Sequence, residues 1–272
     1  MTLRISKDTR LCMSLSGRPG NFGTRFQNYL YQELQLDYLY KAFTTTDLPA
    51  AIAGIRALGV RGCAVSMPFK EACIEHLDAL HESAATLQSV NTIVADNDHL
   101  TGYNTDYSAV AHLLAQHGVP KGSRYALRGS GGMAKAVACA LRDSGFSDGC
   151  IVARNQAAGR ALAAQCRVDW CEALGDQPAE LLVNVTPLGM RGAEAGQLAF
   201  DERAVAAAQW VFDVVAVPVE TPLIRLARSL GKPVITGGEV IVLQAVEQFA
   251  LYTGVRPDTE LIERAARFAL AD

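Results

Sequence analysis

Residues 125–137, reading Y-A-L-R-G-S-G-G-M-A-K-A-V, constrain the fold more than any other stretch. Tyr125–Arg128 reads as a short strand. Gly129, Gly131 and Ala134 follow at G-x-G-x-x-A spacing, and 133–141 reads as a helix whose alanines allow close packing on a sheet. A strand, a tight glycine turn and a helix start make an anion site. The turn exposes backbone N–H groups, and the helix N-terminus adds partial positive charge. A pyrophosphate is the guest this arrangement predicts. Glycine-rich turns also serve packing alone, so the other segments have to decide.

Composition excludes several classes. The 272 residues suffice for one large domain or two modest ones. With a net charge of −3 and no basic run, nothing points to nucleic acid or an anionic membrane as partner. The start, M-T-L-R-I-S-K-D, has no apolar signal core, and no uninterrupted apolar run reaches membrane-spanning length. A cytoplasmic protein is expected. The seven cysteines form no C-x-x-C, and their odd number argues against a disulfide framework. Buried thiols in a reducing compartment are expected instead. His76 and His81 stand five apart, as do His112 and His117, a poor helical spacing for sharing a metal. No metal site is expected.

The first part of the chain alternates strand and helix. A strand over 11–15 ends at Ser14-Leu15-Ser16, and the Gly- and Pro-rich stretch 17–23 must be loop. A helix follows over 25–34, with Phe26, Leu30 and Leu34 on one face. Then come a strand over 38–43 and a helix to about Leu58, capped by Thr46 or Asp47. The segment 63–67 reads as a buried parallel strand, stopped by Pro68 and followed by Lys70. Taken alone, Lys70 reads as a surface charge. A further strand is expected over 89–94. Residues 100–106 lead from a hairpin-like strand into a helix, for which Asp106 would serve as N-cap.

Past the glycine turn, a strand over 150–153 ends in Ala153-Arg154-Asn155. An NAD site places Asp or Glu here for the ribose 2′-OH. An arginine instead stacks on adenine and holds a 2′-phosphate by charge-assisted bonds. NADP is therefore favoured over NAD. Strands over 181–185, 210–215 and 233–236 alternate with helices over 201–209 and 222–230, which implies a parallel, doubly wound sheet with ligand at the strand carboxyl ends. Helices over 239–252, carrying Gln244 and Gln248 one turn apart, and over 258–270 close the chain.

Taken together these segments resemble the shikimate dehydrogenase family over nearly the whole chain. S-L-S matches the family's paired serines. A-V-S-M-P-F-K resembles N-V-T-x-P-F-K. S-V-N-T and G-Y-N-T-D match A-V-N-T and G-x-N-T-D, G-S-G-G-M-A matches G-A-G-G-A, and N-V-T-P-L-G-M resembles N-x-T-x-x-G-M. The resemblance implies an α/β protein of two domains. A substrate-binding catalytic domain would take 1–106, completed by 239–272, and a Rossmann-type NADP domain would take 107–238. It implies Lys70 and Asp106 as the catalytic pair, and Ser14, Ser16, Ser66, Asn91 and Gln244 as substrate contacts. It implies Gly129, Ser130, Gly131, Gly132, Met133, Ala134, Arg154, Asn155, Thr186, Val214 and Gly237 as the NADP site. The implied reaction is reversible hydride transfer between shikimate and NADP, giving 3-dehydroshikimate and NADPH. Self-association as a homodimer stays open.

Several positions depart from the family pattern. Gln27-Asn28 stand for its His-Asn pair, Ala64 and Ser66 for its asparagine and threonine before P-F-K, and Ala216 for a tyrosine. Arg128 stands before the glycine turn where an apolar residue is usual. These departures point to a shikimate dehydrogenase-like subgroup. Quinate or an aminoshikimate is an alternative substrate within the same chemistry, and a catalytically silent NADP(H) sensor is the alternative of another class.

Overall fold

The computed structural model describes residues 5–271. In chain order it runs β1 (Arg10–Leu15), α1 (Phe22–Glu33), β2 (Tyr38–Phe43), α2 (Leu48–Ala57), β3 (Gly62–Val65), α3 (Phe69–Ala72), β4 (Ala79–Leu80), α4 (Glu82–Ala85), β5 (Thr92–Asp96) and β6 (His99–Tyr103). It continues with α5 (Thr105–Gln116), β7 (Tyr125–Arg128), α6 (Gly132–Asp143), β8 (Gly149–Val152), α7 (Gln156–Cys166), β9 (Asp169–Cys171) and β10 (Leu181–Asn184). Last come α8 (Glu202–Ala207), β11 (Trp210–Asp213), α9 (Pro222–Ser229), β12 (Val234–Thr236), α10 (Gly237–Thr253) and α11 (Thr259–Leu270). The chain divides into two compact units. One takes residues 1–105 and 242–272, the other 106–241.

The first unit is built on a sheet ordered β2-β1-β3-β5-β6-β4. β1 runs parallel to both β2 and β3, whereas β5 is antiparallel to both β3 and β6. Phe26, Leu30 and Tyr31 of α1 pack with Val246, Phe249 and Tyr252 of α10 and with Leu261 and Ala265 of α11 on one side. Ile52 and Ile55 of α2 meet Leu15, Val65 and Ile93 on the other.

The second unit carries the expected doubly wound sheet, parallel throughout, ordered β9-β8-β7-β10-β11-β12. The direction of winding reverses between β7 and β10, the point at whose carboxyl ends open α/β sheets bind ligands. Val205, Leu223, Ile224 and Ala227 from α8 and α9 cover one face of the sheet.

Several boundaries differ from those the sequence predicts. α1 begins at Phe22, inside the expected loop, with Gly23 in its first turn. β3 ends at Val65 rather than Met67, because the Ser66 carbonyl turns to accept from Phe69 N at 2.9 Å instead of continuing the ladder. β5 starts at Thr92, three residues late. Asp106 is not an N-cap, since α5 already begins at Thr105. α10 begins at Gly237 rather than Glu239. Its start is a reciprocal capping box: Glu239 Oε2 accepts from Thr236 N at 2.8 Å, and Thr236 Oγ1 accepts from Glu239 N at 3.4 Å. The T-x-x-E spacing that marks it is present in the sequence. α7 and β9 lie where the sequence reading assigns no element. Asn155 starts α7 by accepting from Ala158 N at 3.1 Å.

All seven cysteines are free and six of them are buried. Among the described residues no cluster of His, Cys, Asp and Glu is arranged to hold a metal, and no helix is long and apolar enough to cross a membrane.

Candidate active site: a polar strand edge and a glycine cradle

In the first unit the strand ends bring the expected substrate contacts to one edge. β1, β2 and β3 are parallel, so their carboxyl ends coincide; β5 is antiparallel, so its start, paired Ala64 to Thr92, joins the same edge. Ser14 pairs with Ala64 and Ser16 lies just past β1. Two residues apart on extended chain, Ser14 and Ser16 point to the same side. Ser66 N donates to Leu15 O at 2.9 Å, which holds the end of β3 against the end of β1. Ser66 is exposed, whereas Ser14 and Ser16 are half-buried.

Lys70 sits in the single turn of α3, immediately past that edge. Its carbonyl accepts from Val90 N at 2.8 Å, and Val65 N donates to Asn91 O at 2.8 Å. The lysine main chain is thereby tied to the segment that leads into β5. Asn91 is 3% exposed. Its side-chain oxygen accepts from Thr105 N at 2.8 Å and its amide donates to Thr105 Oγ1 at 3.0 Å. Asn104 donates to Ser89 O at 2.8 Å. These bonds fix the turn at the start of α5, whose next residue is Asp106, 1% exposed. The expected contact Asn91 is thus largely engaged within the protein, and Thr105, which the sequence reading does not single out, is its partner.

Gln244 lies on α10, half-buried. One turn on, Gln248 donates to Thr92 Oγ1 at 3.1 Å, which places this helix face over the β5 end of the polar edge. Gln27, at the family's His position, is buried and donates to Ala245 O at 2.9 Å. Asn28 bonds both N and O of Tyr40 at 2.8 Å and serves as a staple between α1 and β2.

In the second unit the glycine turn leaves the carboxyl end of β7. Gly129 has φ +132°, and a Cβ there would meet the Val185 side chain at 2.8 Å and its carbonyl at 3.0 Å. Only glycine is tolerated at such a backbone angle and distance. Gly131 is the N-cap of α6 with no side-chain cap, and a Cβ on it would meet nothing within 4 Å. The first N–H groups of α6, from Gly132, Met133 and Ala134, have no intrahelical acceptor. Open space before uncapped donors is what a dinucleotide pyrophosphate requires. Ser130 is half-buried on the same turn.

The neighbouring strand ends complete the cradle. Arg154 follows β8 and is exposed; Asn155 Oδ1 is engaged as the α7 cap. Thr186 follows β10, its hydroxyl donating to Asn184 Oδ1 at 2.6 Å. Val214 N donates to Asn184 O at 3.0 Å, and Gly237 packs so closely on the backbone of Val214 and Val215 that a Cβ would overlap it. Beneath them lies a network the sequence reading does not find. Asp213, fully buried, accepts from Asn184 Nδ2 at 3.0 Å, Val215 N at 3.1 Å and Thr221 Oγ1 at 2.7 Å.

Burial pushes the Asp213 carboxyl up to about 6, against the hydrogen bonds, which favour the carboxylate. The folded state then binds this proton more tightly than the unfolded chain. The resulting stability is complete below the ordinary carboxylate range near 4 and is lost as pH rises through about 6. With other groups constant, this one contributes a fall of up to about 3 kcal/mol between those limits. Asp213→Asn, which cannot titrate, is expected to flatten that part of the profile in urea unfolding from pH 4 to 8. An unchanged profile would remove Asp213 as its source.

A parallel sheet with this strand order, and a glycine turn at the point where its winding reverses, defines a dinucleotide-binding α/β protein. Comparison with known proteins narrows this. Residues 22–93 match the family model described as the shikimate dehydrogenase substrate binding domain. A shikimate dehydrogenase-like protein of Haemophilus influenzae is 56% identical over 266 residues, 97% of this chain and 98% of its own. A shikimate dehydrogenase (NADP(+)) of Prosthecochloris aestuarii is 34% identical, with 89% of this chain and 91% of that protein covered. Among solved structures, a shikimate 5-dehydrogenase-like protein superposes with a TM-score of 0.91 at 55% identity, covering 98% of this chain and 99% of that one. Quinate dehydrogenase from Corynebacterium glutamicum in complex with NAD gives 0.87 at 28% identity, covering 97% and 99%. Shikimate 5-dehydrogenase from Thermus thermophilus in complex with NADP(H) and shikimate gives 0.85 at 29%, covering 96% and 100%. The chain belongs to the shikimate dehydrogenase family.

Proposed function

We propose that this protein is an NADP-dependent dehydrogenase that interconverts shikimate and 3-dehydroshikimate. The observation that carries the reading is the pairing of two pieces of chemistry in one chain. One unit has a polar strand edge with serines, amides and a lysine; the other has an uncapped glycine cradle with arginine, not acid, at the ribose position. NADP, when bound, supplies the hydride acceptor, and the protein supplies position and proton handling.

Ser14 and Ser16 donate to the substrate carboxylate. Ser66, Asp106 and Gln244 bond its ring hydroxyls, and Asn91 acts through the turn it holds at Thr105 as well as by contact. Lys70 takes the hydroxyl proton as the alcohol becomes a carbonyl and passes it to solvent. In the reverse direction its ammonium steadies the carbonyl oxygen and returns the proton. Asp106 orients the hydroxyl. Such directional contacts reject analogues lacking a hydroxyl far more strongly than an apolar pocket does.

Ala64 and Ser66 at the polar edge motivate one second reading, a quinate-type substrate. Comparing kcat/KM for shikimate and quinate, each with NADP and NAD, decides between them. The proposal expects shikimate with NADP to be the best pair. A preference for quinate would move the assignment within the family, and no oxidation of either would defeat it.

A further inference from the structure

We propose that Arg128 joins Arg154 in a two-guanidinium site for the 2′-phosphate of an adenosine ribose, an inference that rests on the NADP reading and adds a specificity residue to it. Arg128 is the last residue of β7, one before the glycine turn. It pairs in register with Val152 of β8 and Asn184 of β10. Arg154 stands two residues past Val152, so the two arginines leave adjacent strand ends on the side where the adenosine half of a dinucleotide lies.

Neither guanidinium is held in an ion pair among the described residues. Among the described residues the half-buried Arg128 side chain makes no hydrogen bond or ion pair; its guanidinium lies over the Phe200 ring, 5.5 Å from the centroid. Arg154 is exposed and also makes none. The carboxylate of Asp201 caps α8, accepting from Ala204 N at 2.8 Å, and acts on Arg128 through space without forming an ion pair. Burial first, and then the charge of Arg154, hold the Arg128 pKa below the usual guanidinium value, partly offset by the Asp201 carboxylate. Packing alone does not call for this: an apolar side chain would cover Phe200 without the cost of half-burying a charge beside another. A dianionic phosphate removes the repulsion and offers oxygens enough for two guanidinium groups.

The test is calorimetric binding of adenosine 2′,5′-bisphosphate and of 5′-AMP to the full-length wild type, Arg128→Met and Arg128→Lys. Wild type is expected to prefer the bisphosphate. Arg128→Met should weaken the bisphosphate by roughly tenfold or more, as loss of a hydrogen bond to a charged group does, while leaving 5′-AMP unchanged. Arg128→Lys, which keeps the charge without the fork, should fall between and is read in its place if Arg128→Met does not fold. Equal loss of both ligands, or retention of the wild-type ratio, overturns the role of Arg128 alone. A wild type that does not distinguish the two ligands overturns the NADP reading itself.

Discussion

Replacing Lys70 with alanine is expected to lower kcat by about 10²–10⁴-fold, the usual loss of a positioned acid–base group, while NADP affinity stays at the wild-type value. Lys70 belongs to the first unit, and none of its backbone contacts depends on the ammonium: its carbonyl receives Val90 N whatever the side chain. Alanine is a good helix former in the turn of α3. The variant should therefore fold and hold cofactor, yet lack the group that takes the proton. Steady-state rates together with fluorescence titration of NADPH measure both. Turnover near the wild-type value would reject the role of Lys70.

The second large effect concerns two glycines of one turn that fail for different reasons. Gly129→Ala places a Cβ at φ +132° and 2.8 Å from Val185. Backbone strain costs about 1–3 kcal/mol, and overpacking adds a similar amount. The variant should unfold at clearly lower urea and bind NADP poorly. Gly131→Ala meets no neighbour within 4 Å, and its φ of −84° is ordinary, so stability should hold. Its methyl nevertheless fills the space before the α6 donors, and NADP binding should fall alone. Equal stability of the two variants would mean that the Gly129 backbone relaxes, and unchanged binding by Gly131→Ala would place the pyrophosphate elsewhere.

The contrast between these glycines also marks what the sequence made legible. The G-x-G-x-x-A spacing after an apolar strand was enough to infer the turn, the helix and the anion site, because all three are local. The alternation of strand and helix was enough for the doubly wound sheet of the second unit. Long-range bonds were not visible. That Asn91 spends its side chain on Thr105 depends on β5 running antiparallel beside β6, which no local pattern states. The Asp213 network joins three segments that meet only in the folded sheet. α7 is hard to read from the sequence although Asn155 is a good cap, since the same residue also fits a cofactor contact at the end of β8. The start of α10 at Gly237 is not legible because two glycines normally end a helix, whereas here Gly237 permits close packing on Val215 and Gly238 on Val219, behind a capping box.

Hydride transfer from a ring carbinol to NADP is the step that defines the proposed reaction. Shikimate carrying deuterium at the carbon that becomes the carbonyl tests it directly, with the label followed by mass spectrometry of the reduced cofactor. Deuterium is expected in NADPH in step with 3-dehydroshikimate formation, at a rate lowered by about 10²–10⁴-fold when Lys70→Ala is used. Tight NADPH binding by the wild type with no transfer of label from shikimate or quinate would contradict it.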